Sequence, residues 1–518
     1  MRAAAAPDAP PRDGGSRAGG RPERVGAVGV FVLAVVLAWS RMPAAVRDVL
    51  WAEDGRTFLG EGVQYGTLGT LTRSYAGYLH QYPRIVAGIV QHVLPVEGWA
   101  TGIAFGAVVG TGLVATVVFV CTRDLTARLT PAAALAARVG IALAVVLVPI
   151  ATNEVLGNLA NVHAYFLWMM PFVLLYRPRS WWSSVALAAM TLLGALTETQ
   201  AIVFAPLLVL GLRARRTWPV TAAFLVGAGL QLAVWLGSDR HRGQVGRATI
   251  DLASLVDGFG LNAGMSTFLS RAASGEVLAT VGPWAGLLFV VPFVVAFVWV
   301  LVRGDRPQRT LAVVLALSAV VLWCAAVVLN PKPAYAYAGM SPEFLRYAWV
   351  SRYGMFPAAA GLVLVVLALV TPRRRSRTSV DAGAAERVST DPSRRSLRPR
   401  PTARRPTLGV ALRSTVAVAL LVLVLVQFRP WGPVLRTDGP RYTAAVAAAR
   451  EACRTLPADR AIRIRSAPQT QQDTPGPPTR QEPTSFWSLS MSCAVVTGAR
   501  TSDVGHEVVQ DRPVPTFG

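Results

Sequence analysis

The sequence predicts an all-α polytopic membrane protein that crosses the bilayer about eleven times, with a small extracytoplasmic α/β appendage at its C-terminal end. Three observations predict this. Of the 518 residues 53% are hydrophobic and only 15% are charged, against roughly 25% in a soluble domain. The apolar residues gather in runs such as Val25–Trp39, Gly98–Cys121, Pro283–Val302, Leu311–Asn330 and Val416–Val426. Most of these approach the roughly 20 residues that span about 30 Å of hydrocarbon. Finally, arginines recur in every second connection, as they do on the cytoplasmic side of membrane proteins.

The chain divides accordingly. Residues 1–24 read as a disordered basic leader, and residues 25–371 as a multi-span membrane domain. Residues 372–407 form an Arg-rich cytoplasmic linker of disordered composition, 408–427 a last span and 428–518 an extracytoplasmic tail. The run from Val25 reads as the first span rather than a cleaved signal, because no A-x-A-like small-residue site follows it. Arg2, Arg12, Arg17, Arg21 and Arg24 place the leader in the cytoplasm. Alternating from there, Arg123 and Arg128, Arg177 and Arg179, Arg213–Arg216, and Arg303–Arg309 all fall inside. Most carboxylates and all five histidines fall outside. A net charge of +23 carried in this pattern reflects topology, so no nucleic-acid partner is predicted.

The segment Trp181–Leu212 tests the alternation. It has basic residues at both ends and Glu198 near its centre. One crossing would put an arginine cluster outside and sink Glu198 in lipid, at a cost of roughly 2.5 kcal/mol or more. Two short helices with Thr197–Gln200 at an outer tip satisfy both constraints, provided they pack inside a bundle.

Three outer stretches concentrate polar groups. The first runs from Trp51 to Arg84 and holds the adjacent carboxylates Glu53 and Asp54, then Tyr75, Tyr78, His80, Tyr82 and Arg84. Carboxylates beside a membrane surface serve as general bases or metal ligands, and aromatic rings stack on sugars. The plainer reading is the first turn of an interfacial helix with belt tyrosines. Asp54 is the preferred base, because Gly55 would leave room for a substrate beside it. The second stretch, Asn153–Tyr165, gathers Glu154, Asn158, Asn161 and His163; if helical, it aligns Glu154, Asn158 and Asn161 on one face. A hairpin turn would also favour the asparagines. In the third, Lys332–Tyr353, Arg346 and Arg352 lie outside against the charge rule, able to grip a lipid phosphate or to snorkel beside Tyr and Trp.

No phosphate-binding glycine loop, H-E-x-x-H motif or Cys/His metal spacing occurs, so an ATP-driven pump is not indicated and no cofactor is specified. A divalent metal stays open, with Glu53 or Asp54 as its ligand. Cys121 and Cys324 lie in spans as packing residues, whereas Cys453 and Cys493 lie in the tail, where an oxidising compartment permits a disulfide. Tyr442, Val446, Ala449 and Cys453 follow helical spacing, Ser466–Thr484 has a disordered composition and Phe486–Val496 reads as a short strand.

Many spans, an acidic first outer loop (Glu53, Asp54), short irregular helices in the middle and an extracytoplasmic C-terminal part together resemble the GT-C superfamily of membrane glycosyltransferases. The resemblance covers roughly residues 25–370. It implies a polyprenyl-phosphate-linked sugar as donor and, with membrane lipids around it, a place in the bacterial plasma membrane. It also implies a first-loop carboxylate, Glu53 or Asp54, as base or metal ligand. Arg346 or Arg352 would then stabilise the departing phosphate, with His80, Arg84, Glu154, Asn158, Asn161, His163 and Glu198 lining the substrate site. The small tail departs from the large carbohydrate-binding domains of some members. Two other readings compete. A lipid or polysaccharide transporter would show internal repeats and mid-membrane charges, and neither is evident in the sequence. An O-antigen-ligase-like enzyme would share the donor class without the acidic base.

Overall fold

The computed structural model describes residues 20–212, 214–238, 250–345, 349–371, 408–468, 470–471, 479–480, 487–499 and 516–517. Most of the leader, the linker 372–407 and Arg346 lie outside these described residues. Helices dominate. Among the described residues, six are long and apolar enough to cross a membrane: Pro22–Arg41, Val96–Cys121, Arg215–Gly237, Ala285–Arg303, Arg306–Leu329 and Ser351–Val370. The chain is therefore a helical, multi-pass membrane protein. Shorter apolar helices are Pro131–Leu147, His163–Leu175, Trp181–Ala195, Thr199–Gly211 and Leu412–Val426. Exposed Val, Leu and Trp side chains on Arg215–Gly237 and Ala285–Arg303 form faces suited to lipid, whereas His163–Leu175 is almost wholly buried in the bundle.

Polar contacts separate two ends of the bundle. At one end Arg179 pairs with Asp124, Arg128 approaches Asp305, Arg216 donates to the Arg179 carbonyl and Gln308 to that of Leu125. The arginine-rich connections thus converge. Glu23, where the first long helix begins, pairs with Arg138 near the same end. At the other end lie Glu53, the Asn153–His163 connection, Glu198, Arg352 and the tail.

Trp181–Leu212 breaks as its charge pattern requires. Trp181–Ala195 ends, and Glu198 caps a 3-10 segment, Thr199–Leu207, by accepting the Gln200 N–H at 2.7 Å. Asn153–Asn161 is different. It is a run of turns between the 3-10 turn Pro149–Thr152 and the helix His163–Leu175, so the expected helical face of Glu154, Asn158 and Asn161 does not form. Asn158 explains the outcome, since its Oδ1 accepts the Asn161 N–H at 2.8 Å and so competes with helix formation.

The region between the first two long helices is also more ordered than a loop. A helical segment begins at Ala52, passes through a π-helical stretch Asp54–Leu59 and continues as Gly60–Thr70; the amphipathic helix Gln81–Val93 follows. The tail contains the helix Tyr442–Ala452, whose Tyr442, Ala445, Val446 and Ala449 are buried, against a three-stranded sheet. There Ala461–Arg465 pairs antiparallel with Ser488–Ser492 and parallel with Thr516–Phe517. Residues 493–496, expected in a strand, instead form a helical turn capped by Ser492. The described ends of the polar stretch pair as Thr470–Gln471 with Thr479–Arg480. Cys453 and Cys493 are bonded across 5.3 Å between Cα atoms.

Candidate functional site

Adjacent in sequence, Glu53 and Asp54 diverge completely. Asp54 is buried at 1% exposure, and its carboxylate accepts backbone N–H groups from Leu159 (3.1 Å) and Ala160 (2.9 Å). Burial pushes its carboxyl up to about 7; the two amides and the nearby Arg436 guanidinium oppose that rise. The expected space beside it is absent: a Cβ on Gly55 would meet Ser466 Oγ at 2.4 Å and then Leu50 and Leu489. The tail fills that side. Asp54 therefore secures a turn, and its oxygens are engaged by backbone.

Glu53 faces the other way and accepts a hydrogen bond from the Tyr75 hydroxyl at 3.2 Å. Tyr75 lies 5.8 Å from the His80 ring between centroids, and His80 lies 6.0 Å from that of His163. His163 Nδ1 is hydrogen-bonded to Glu198 Oε2. A narrow cleft opens beside this pair, lined by His163, Glu198, Gln200, Arg352, Tyr353 and Phe356 among others. Its free volume is about 10 Å³, room for a single water.

Arg352 stands in the first turn of the helix Ser351–Val370 and pairs with Glu154 Oε1 at 3.1 Å. Its Nε–H has no hydrogen-bond partner among the described residues. The helix start is held by Asn262, which accepts the Val350 N–H at 2.7 Å from within a second π-helical stretch, Gly260–Met265. Asn153 ties the same start to the central turn by donating to Ser351 Oγ at 3.2 Å, and it accepts from Arg271.

Not every sequence candidate joins this cluster. Arg84, expected to line the substrate site, is buried against Glu61 instead, with a 2.8 Å contact. Asn158 braces the turn, while Asn161 has a buried Nδ2 with no partner among the described residues. Arg346 lies outside the described residues. Among those described, no three His, Cys, Asp or Glu side chains converge as a metal-binding group.

Among the buried or half-buried arginines that the sequence did not single out, three brace this end of the bundle: Arg41, Arg271 and Arg436. Arg41 caps the carbonyls that end Pro131–Leu147, bonding Val146 and Val148, and reaches Phe428 O at 2.8 Å. Arg436 comes from the tail and donates to Gly157 O at 2.7 Å and to Leu156 O. For Arg271 and Arg436 a signal existed, the same breach of the charge rule that picked out Arg346 and Arg352.

No family model, curated protein or solved structure matches this chain.

What the cluster offers is a carboxylate with a tyrosine neighbour, a carboxylate-oriented imidazole and a carboxylate-held guanidinium. All three stand at one end of an apolar bundle. Proton acceptance and anion binding are the chemistry these groups perform.

Proposed function

We propose that the chain is a membrane glycosyltransferase acting at the extracytoplasmic face of a bacterial plasma membrane. In this reading the donor is a polyprenyl-phosphate-linked sugar and the acceptor a glycan, lipid or protein hydroxyl. The observation that carries it is the pairing of Arg352 with Glu154 beside a cleft that also holds the His163–Glu198 pair, with Glu53 nearby. A polyprenyl phosphate needs a cation where its charge develops, and an acceptor hydroxyl needs a base.

The acceptor oxygen attacks the anomeric carbon, the bond from that carbon to the phosphate oxygen breaks, and polyprenyl phosphate departs with the electron pair. Glu53 takes the hydroxyl proton. Arg352, held by Glu154, offers its Nε–H, which has no partner among the described residues, to the departing phosphate oxygen. Because the cleft has room for only a single water, donor entry requires it to widen. Asp54 is assigned no proton transfer, since it is covered and bound to two amides.

Eleven crossings follow if the six long helices and the five shorter apolar ones each traverse the membrane, the short ones inside the bundle. The arginine-rich end would then be cytoplasmic, with the N-terminus there and the tail outside. The deciding experiment is lipid-linked glycan profiling of a deletion strain complemented with parental protein or with Glu53→Gln. Accumulated donor and a missing glycan in the deletion and the variant support transfer. A glycan missing in the deletion but fully restored by Glu53→Gln would favour a transporter.

A further inference from the structure

The turn that joins Glu154 to His163 is gripped from two sides. From the first loop, Asp54 accepts the Leu159 and Ala160 amides at 3.1 and 2.9 Å. From the tail, almost 280 residues away in sequence, Arg436 donates to the Gly157 carbonyl at 2.7 Å and to that of Leu156. Arg436 is 4% exposed, and no salt bridge among the described residues explains its position. Gly157 adopts φ +78°, and a Cβ there would meet Met42 Sδ at 2.2 Å and Arg436 Nη2 at 3.1 Å. The turn is thus shaped around the guanidinium. Its neighbour Leu435 adds a backbone bond to Asn153 O at 3.1 Å.

The tail is positioned for this task. Ala467 exchanges backbone hydrogen bonds with Leu50 and Ala52, flanking Trp51 immediately before Glu53, and Thr443 bonds Asp48. The Cys453–Cys493 bond fastens the helix Tyr442–Ala452 to the end of strand Ser488–Ser492.

We propose that Arg436 is a positioning residue, through which the tail sets the 154–163 turn and so completes the site. It does this by holding two carbonyls with one planar fork while Asp54 holds two amides of the same turn. Glu154 and His163, at the turn's two ends, then meet Arg352 and Glu198. The catalytic consequence rests on the glycosyl-transfer reading above; the grip on the turn does not.

Two full-length variants test it in lipid nanodiscs. Arg436→Lys keeps the charge but cannot span two carbonyls as a fork. Asp54→Asn combined with Arg436→Met removes both buried charges, leaving neither uncompensated. Amide hydrogen exchange is followed in peptides covering 153–163, with the Tyr442–Ala452 helix as an internal control. Transfer from a polyprenyl-phosphate sugar is measured in parallel. In both variants exchange across 153–163 is expected to rise at least about tenfold while the control helix stays protected. The kcat should fall at least about tenfold, with KM for the donor changing much less. Parental exchange across 153–163 in both variants overturns the grip. Raised exchange with parental kcat overturns the positioning role. If the parental protein transfers no sugar while exchange responds as expected, the glycosyl-transfer reading fails and the grip stands. Should the double variant not accumulate, Arg436→Lys decides.

Discussion

His163 Nδ1 and Glu198 Oε2 share a hydrogen bond across 35 residues of sequence, in a cleft that also receives Arg352. A carboxylate on Nδ1 fixes the imidazole's orientation and leaves Nε2 as the atom available to a ligand. Glu198 is itself fixed, because its Oε1 accepts the Gln200 amide. Glu198→Gln should therefore retain the 3-10 cap but lose the charge that orients His163. We expect transfer to fall about 10²-fold at parental protein abundance, whereas Glu198→Ala should also lower abundance through the lost cap. Glycan transfer beside immunoblotting of membrane fractions measures both, and parental activity in Glu198→Gln would remove the dyad from the mechanism.

Isosteric replacement separates the two adjacent carboxylates. Glu53→Gln should reduce transfer by about 10²–10⁴ without loss of protein, since the hydrogen bond that Glu53 receives from the Tyr75 hydroxyl is one that Gln can still accept. Asp54→Asn should act on the turn instead, weakening its amide bonds and lowering abundance or stability by about 1–3 kcal/mol at acidic pH. The opposite assignment, with Asp54→Asn inactive at full abundance and with parental amide exchange across 153–163, would return the catalytic role to Asp54.

Asp54 also predicts a pH dependence. Its folded pKa of about 7 lies above the ordinary carboxylate value, so the folded state binds the proton more tightly than the unfolded chain does. Its contribution is complete below about pH 4 and is lost as pH rises through about 7. Between those values the parental protein should lose stability with rising pH, and Asp54→Asn should show a flatter profile. Thermal unfolding in detergent at several pH values checks the slope, and identical slopes would contradict it.

The two ends of the bundle should lie on opposite faces of the membrane. Single cysteines introduced at Ala385→Cys and Asp459→Cys, labelled in intact cells with a membrane-impermeant maleimide, should react only at 459. Labelling of both from outside would refute the orientation.

Cys453 and Cys493 close a loop with a sequence separation of 40, which the chain-entropy model values at roughly 3–4 kcal/mol. Replacing both with serine should loosen the tail and with it the contacts of Ala467 and Arg436. Non-reducing electrophoresis should show faster migration of the parental protein than of the double-serine form. Equal migration would mean the thiols are free.

Much was legible without coordinates wherever a single physical rule acts on neighbouring residues. Apolar run length marked the membrane helices, because hydrocarbon thickness sets a minimum. Charges flanking Trp181–Leu212 required a break near Glu198, because an arginine cluster and a carboxylate cannot both be misplaced cheaply. Helical spacing located Tyr442–Ala452. What the sequence by itself determined, then, was the class of fold and the stretches that carry polar groups. Only tertiary structure decided which of those groups meet. Glu53 and Asp54 are equivalent by position and composition, yet one faces a tyrosine and the other is sealed beneath the tail. Arg84 found Glu61, and Arg436, drawn from far along the chain, found the Gly157 turn. The reason is that a buried charge or hydrogen-bonding group must be compensated wherever the fold places it, and the compensating partner is chosen by packing across hundreds of residues, which local periodicity does not encode.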